Sequence, residues 1–64
     1  YNAEYRAMRR LYSEPDEAEL DKWGVDYVLF DSYVRENFSP DEEWYAARFE
    51  LWYTDGVNKV YKTG

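Results

Sequence analysis

The chain contains neither cysteine nor histidine. Without cysteine there is no disulfide to brace the fold and no thiolate to act as nucleophile or ligand. Without histidine, the usual zinc ligands and the side chain best suited to proton transfer near neutral pH are also missing. No glycine-rich phosphate loop, nucleophile elbow or metal signature is present, so the sequence points to no cofactor and no metal. No apolar run exceeds the four residues YVLF. A membrane-spanning helix takes about 20 such residues, so nothing here reads as a spanning segment or a signal peptide.

What the chain does have is aromatic side chains and acid. Eight tyrosines, three tryptophans and three phenylalanines make up 22% of the 64 residues. A chain this short buries only about 60% of its unfolded surface. Large rings, each burying about 150–250 Å², let it assemble a core nonetheless. Fourteen aspartates and glutamates against eight lysines and arginines leave a net charge of −6, which argues against nucleic acid as a partner. The charge is uneven: Arg6, Arg9 and Arg10 make residues 1–12 basic, and five acids against Lys22 make residues 13–24 acidic. These two segments are expected to attract one another. The expected organisation is a single small domain over 1–64, and the opening Tyr1 suggests that it is cut from a longer chain.

The apolar spacing of Tyr5, Met8 and Leu11 or Tyr12 predicts a helix from Asn2 to Tyr12. Ser13 with Asp16 three residues on predicts a capped second helix, with Pro15 in its first turn. That helix should bury Leu20 and Trp23 and end at Gly24 in the left-handed conformation. Val25 to Phe30 then reads as a strand, apolar on both faces except at one end and so well covered. Asp31 and Ser32 break it, and Tyr33 to Phe38 is expected to form a single helical turn. Ser39, Pro40 and Asp41 signal a further helix from Pro40 to Arg48 that buries Trp44 and Ala47. The end of the chain, RFELWYT, Asp55-Gly56, VNKVYK, reads as a hairpin with a two-residue turn. Pairing Thr54 with Val57 would place Phe49, Leu51 and Val60 on one face and Trp52, Val57 and Tyr61 on the other. Trp52 would then lie opposite Lys59, within reach of a cation–π contact.

The expected fold is therefore α+β: a three-stranded mixed sheet packed against two to three short helices, in the order α-α-β-α-β-β. The long connection after Phe30 suits a right-handed crossover to a parallel neighbour. Because the hairpin strands are adjacent, the first strand must lie at an edge of the sheet. An edge this apolar needs a cover, from a helix or from a part of a larger protein.

Acids are too frequent to be informative one by one. Asp26 with Asp31, and Asp41 with Glu42 and Glu43, read as surface carboxylates, since paired acid–base chemistry needs a cleft between them. Asp26, inside the strand segment, is either a cation or hydroxyl partner, a solvent-side residue, or a partner of a first-helix arginine. Trp44, Tyr45, Trp52, Tyr53 and Tyr61 supply flat apolar faces with polar tips. They suit either a stacking surface for glycan or peptide, or core packing. Arg6, Arg9 and Arg10 are either an anion-binding or partner-binding face, or a solvated helix face.

The segments Leu11-Tyr12, Gly24 to Asp31 (GVDYVLFD) and Phe49 to Lys62 (FELWYTDGVNKVYK) together resemble the C-terminal extracytoplasmic domain of multi-spanning membrane glycosyltransferases. The family meant is that of the archaeal oligosaccharyltransferase-like and lipid-linked-sugar transferases. The resemblance covers most of the chain. It implies a non-catalytic accessory domain on the extracytoplasmic side of a membrane, packing on the membrane part of its parent or shaping the acceptor side. In that family the catalytic acids and metal lie in loops between membrane helices. The Trp-Trp-Asp acceptor motif is not reproduced by Trp44-Tyr45 or Trp52-Tyr53, so no site residue carries over. The alternative expectation is a free-standing module that uses surface Trp and Tyr to bind glycan or peptide. Catalysis by the chain itself is not expected.

Overall fold

The computed structural model describes residues 3–64, so the expected helix start at Asn2 lies outside the described residues. Four helices and three strands follow in the order α1 (Ala3–Ser13), α2 (Glu17–Lys22), β1 (Tyr27–Phe30), α3 (Ser32–Phe38), α4 (Glu42–Arg48), β2 (Glu50–Thr54) and β3 (Lys59–Lys62). The α+β class holds, with one helix more than expected because Tyr33 to Phe38 forms a true helix. The strand order is β1-β3-β2, and both pairings are antiparallel. This corrects the mixed sheet. β1 and β2 run the same way, but α3 and α4 set them two strand positions apart, and β3 enters the slot between them. β1 does lie at an edge.

Aspartate, not serine, starts α2, α3 and α4. Asp16 Oδ1 accepts from the Ala18 N–H at 2.8 Å, Asp31 Oδ1 from Val34 at 2.9 Å and Asp41 Oδ1 from Trp44 at 3.1 Å. Each satisfies a donor that the first helical turn leaves unpaired, and its charge faces the positive end of the helix. Ser13 instead closes α1, its hydroxyl donating to the Arg9 carbonyl at 3.0 Å. Ser39 ends α3 in the left-handed region at φ 47°. Pro15 and Pro40 thus stand just before their caps rather than inside the helices. Gly24 behaves as its sequence position suggests. At φ +64° it lets its own N–H reach Asp21 O at 3.1 Å and that of Val25 reach Leu20 O at 3.0 Å, the paired bonds of a Schellman ending.

The hairpin departs from expectation. Asp55 Oδ1 accepts from the N–H groups of both Val57 and Asn58, at 2.9 and 2.7 Å. This side-chain turn opens the loop to four residues, and Thr54 pairs with Lys59 in place of Val57. The register also shifts between Leu51 and Tyr53, leaving Trp52 at a bulge. Leu51 consequently lies opposite Tyr61, and Tyr53 opposite Val60, so the expected division of faces is overturned. Trp52 meets the Tyr27 ring at 5.0 Å; Lys22 and Arg48 are the cations that lie over rings, those of Trp23 and Trp44.

All four helices contribute to a core on one face of the sheet. Leu20, Val28, Phe30, Val34, Phe38, Tyr45 and Tyr61 are buried, with Leu11, Tyr12, Val25, Trp44 and Phe49 packed around them. Two burial expectations fail: Trp23 is 45% exposed because α2 ends before it, and Ala47 is exposed, with Tyr45 taking the inward position on α4. Phe30 sits at the centre, its ring 5.5 Å from Tyr12, 5.1 Å from Tyr45 and 5.7 Å from Tyr61, all near edge-to-face. Such pairs add about 0.5–1.5 kcal/mol each beyond their burial. Arg35 ties α3 to α4 and to the hairpin: Nε and Nη2 donate to the two Glu42 carboxylate oxygens at 2.8 and 3.1 Å, and Nη1 to Val57 O at 2.5 Å.

Candidate interaction surface

β1 exposes and buries residues alternately. Val28 and Phe30 point into the core, while Tyr27 and Leu29 are 49% and 44% exposed. The expectation that both faces of this strand are covered is therefore corrected. Register extends the open face across the sheet: Tyr27 lies in a row with Lys62 and Glu50, and Leu29 in a row with Val60 and Tyr53. Tyr53 is 50% exposed, and the bulged Trp52, 58% exposed, tilts at 54° against Tyr27. Leu51 shares the core-side row of Tyr61 and Val28 and does not belong to this face, although at the β2 edge it is 42% exposed. The result is an apolar, aromatic surface on the side of the sheet away from the helices, flanked by one acid and one base.

The edge of β1 is managed differently. The Tyr12 hydroxyl reaches over from α1 and donates to Leu29 O at 2.8 Å. Beyond the start of the strand, Asp26 O accepts from Thr63 N at 2.7 Å and Gly64 N at 3.1 Å, and Thr63 Oγ1 donates to Val25 O at 2.9 Å. The bonds to Asp26 continue the ladder with β3, so it is the Tyr12 hydroxyl that partly closes the apolar edge within the chain. Asp26 itself is exposed; Arg35–Glu42 is the salt bridge formed among the described residues, so no first-helix arginine holds Asp26.

Among the described residues, Tyr12 and Tyr45 are the phenols whose pKa is raised. Burial, reinforced by the nearby Asp31 carboxylate, pushes Tyr12 above its ordinary range. Burial, with Tyr12 beside it, pushes Tyr45 much further up. Tyr45 donates to Leu11 O at 2.5 Å, so both hydroxyls act as fixed donors to backbone carbonyls. Nothing in their surroundings makes either a base near neutral pH.

The aromatic residues singled out from the sequence separate into two groups. Trp52 and Tyr53 stand on the open face. Tyr45 and Tyr61 are core residues, 0% and 4% exposed, with their rings against Phe30. Trp44 is half-buried, with the Arg48 guanidinium 4.5 Å above it. Arg6, Arg9 and Arg10 are exposed along α1. Arg10 also lines a cleft of about 510 Å³ with Glu14, Glu19 and the capping aspartates Asp16 and Asp41, closed at one side by Trp44. The basic first helix and the acidic segment after it line this cleft together, with no salt bridge between them among the described residues. Tyr27 and Leu29 were not singled out as surface residues, because a strand apolar on both sides gives no sign of which side is open.

Among the described residues, no group of three or more acids is placed to hold a metal ion, and no helix is long and apolar enough to cross a membrane. Comparison with protein-family models, with curated proteins and with solved structures returns no match.

Proposed function

We propose that this chain is a non-catalytic interaction domain that docks the helix-free face of its sheet against a protein partner. The observation that carries this reading is the one-sidedness of the sheet. Tyr27, Leu29, Trp52 and Tyr53 stay 44–58% exposed on one side while four helices cover the other. Trp and Tyr are the residue types that dominate binding energy at protein interfaces, and isolated exposed apolar residues do not usually gather on one face. A glycan is the alternative ligand. The 54° tilt between Tyr27 and Trp52 favours a contoured protein surface over the flat bed on which a sugar ring stacks. The host that the resemblance suggests is a multi-spanning glycosyltransferase, with its membrane part as the partner. Several apolar segments of about 20 residues encoded upstream of Tyr1 would support that host; a soluble domain there would remove it.

Trp52→Ala should weaken binding to the partner by roughly 2–4 kcal/mol, about 30- to 1,000-fold. Stability should change far less, because the side chain is more exposed than buried. Titration calorimetry with the partner, beside urea unfolding of the free domain, separates the two effects. Loss of binding and of stability together would assign Trp52 to the fold and not to an interface.

A further inference from the structure

A second cavity lies on the helical side of the molecule, between α1, α2 and β1. Its volume is about 170 Å³, and its walls include Met8, Leu11, Leu20, Val25, Tyr27 and Val28. We infer that this cavity is a binding site for a small uncharged ligand, of the class of a monocyclic aromatic or branched aliphatic molecule. The cavity shares Tyr27 with the docking face proposed above, but the inference does not rest on that reading.

Three observations carry it. The first is size: a closed apolar cavity of about 150 Å³ in another protein takes up benzene, and this one, open to solvent at its rim, offers a similar volume. The second is the lack of polar partners. The two phenols in the wall, Tyr12 and Tyr45, already donate to Leu29 O and Leu11 O. No buried side-chain nitrogen or oxygen among the described residues is left without a partner. A water molecule needs two to four such partners to be held, so an apolar guest displaces little. A charged guest would lose its hydration with nothing in exchange.

The third observation is access. The floor is set by Leu20, Val28 and Tyr45, all buried, whereas the rim carries Met8 and Tyr27, 42% and 49% exposed. A guest can therefore enter without unfolding of the core, and the unbranched, polarizable Met8 side chain can adjust over it.

The test is titration of the 64-residue chain with toluene, and separately with benzoate, followed by methyl and amide chemical shifts. Toluene should give saturable shifts at Met8, Leu20, Val25 and Val28, with a dissociation constant on the order of 1 mM or tighter. Benzoate should give none. Met8→Glu places a charge at the rim on an exposed helical position and should weaken toluene binding at least about tenfold with the fold intact. Val28→Ile, which narrows the cavity by one methylene, should weaken it as well. Glu36→Ala, on the exposed side of α3, should leave it unchanged. Absence of saturation up to the solubility of toluene would overturn the inference. So would equal binding of benzoate, shifts centred on Trp52 and Tyr53, or indifference to Met8→Glu.

Discussion

Replacing Phe30 by alanine is expected to unfold the domain at room temperature. Phe30 has no exposed surface and is the ring on which Tyr12, Tyr45 and Tyr61 converge. Truncating a buried phenylalanine costs about 3–5 kcal/mol through lost transfer energy and the cavity left behind. A single core in a chain of this size rarely supplies more than about 3–5 kcal/mol of net stability. The two figures are equal, and the chain has no disulfide to limit the loss. Far-UV circular dichroism should show a largely unfolded Phe30→Ala variant, while Phe30→Leu stays folded with a lower urea midpoint. A cooperative Phe30→Ala transition within about 1 kcal/mol of the parent would mean that stability resides elsewhere.

The second large effect is alkaline unfolding driven by Tyr12 and Tyr45. Both phenols are held above their ordinary pKa, chiefly by burial, so the folded chain keeps these protons more tightly than the unfolded one. Unfolded tyrosines titrate near about 10. Below that pH both states are protonated and the stabilisation is complete. As pH rises towards the raised folded values, the unfolded state alone gains from ionising, and stability falls. Urea midpoints should be flat from neutral pH to about 10 and then drop steeply, with tyrosinate absorbance rising as helical signal is lost. Tyr45→Phe should lower stability at neutral pH by about 1 kcal/mol, because Leu11 O loses its donor. The same change should make the alkaline decline shallower. Ionisation of every tyrosine in a chain that stays folded would contradict the buried, donating geometry of these two phenols.

How far the sequence forecasts this molecule depends on whether the deciding interaction is local. Gly24 is legible because only a left-handed residue allows the paired bonds to Asp21 and Leu20. The helix starts were legible to within a few residues, yet the capping residue was misplaced twice in the same way. In both Ser13-Glu14-Pro15-Asp16 and Ser39-Pro40-Asp41, the aspartate directly after the proline takes the cap. A proline is restrained to an extended or turn-like approach to a helix, and the next carboxylate is then in position to meet the first free N–H groups. The recurrence of acid as cap and turn former also accounts for part of the net charge without any appeal to function. Asp16, Asp31 and Asp41 start helices, and Asp55 builds the hairpin loop.

The hairpin and the sheet order were less legible because their causes are not local pattern. Asp55-Gly56 has the composition of a two-residue turn, but two side-chain hydrogen bonds to Val57 and Asn58 favour the longer loop and move the pairing of Thr54 to Lys59. That displacement, with the bulge at Trp52, decides which aromatic residues face solvent. Insertion of β3 between β1 and β2 depends on the packing of α3 and α4, which period-two alternation cannot express. For the surface, the sequence leaves Trp52 and Tyr53 open between a binding surface and core packing, and the structure places both on the exposed side. Tyr27 and Leu29 were not foreseen as surface residues, since VDYVLF is apolar at both phases of the alternation and only the helices decide which phase they cover.

The central proposal is that the helix-free face of the sheet meets a protein partner. Photo-crosslinking in the cells that make this protein tests it most directly. A benzophenone amino acid at position 53 on the open face should give an adduct with one identifiable protein. The same residue at position 36, on the exposed side of α3, should give none, and Trp52→Ala should diminish the adduct at 53. Equal yields from the two positions, or a strong adduct from position 36 with none from 53, would contradict the proposed role of the sheet face.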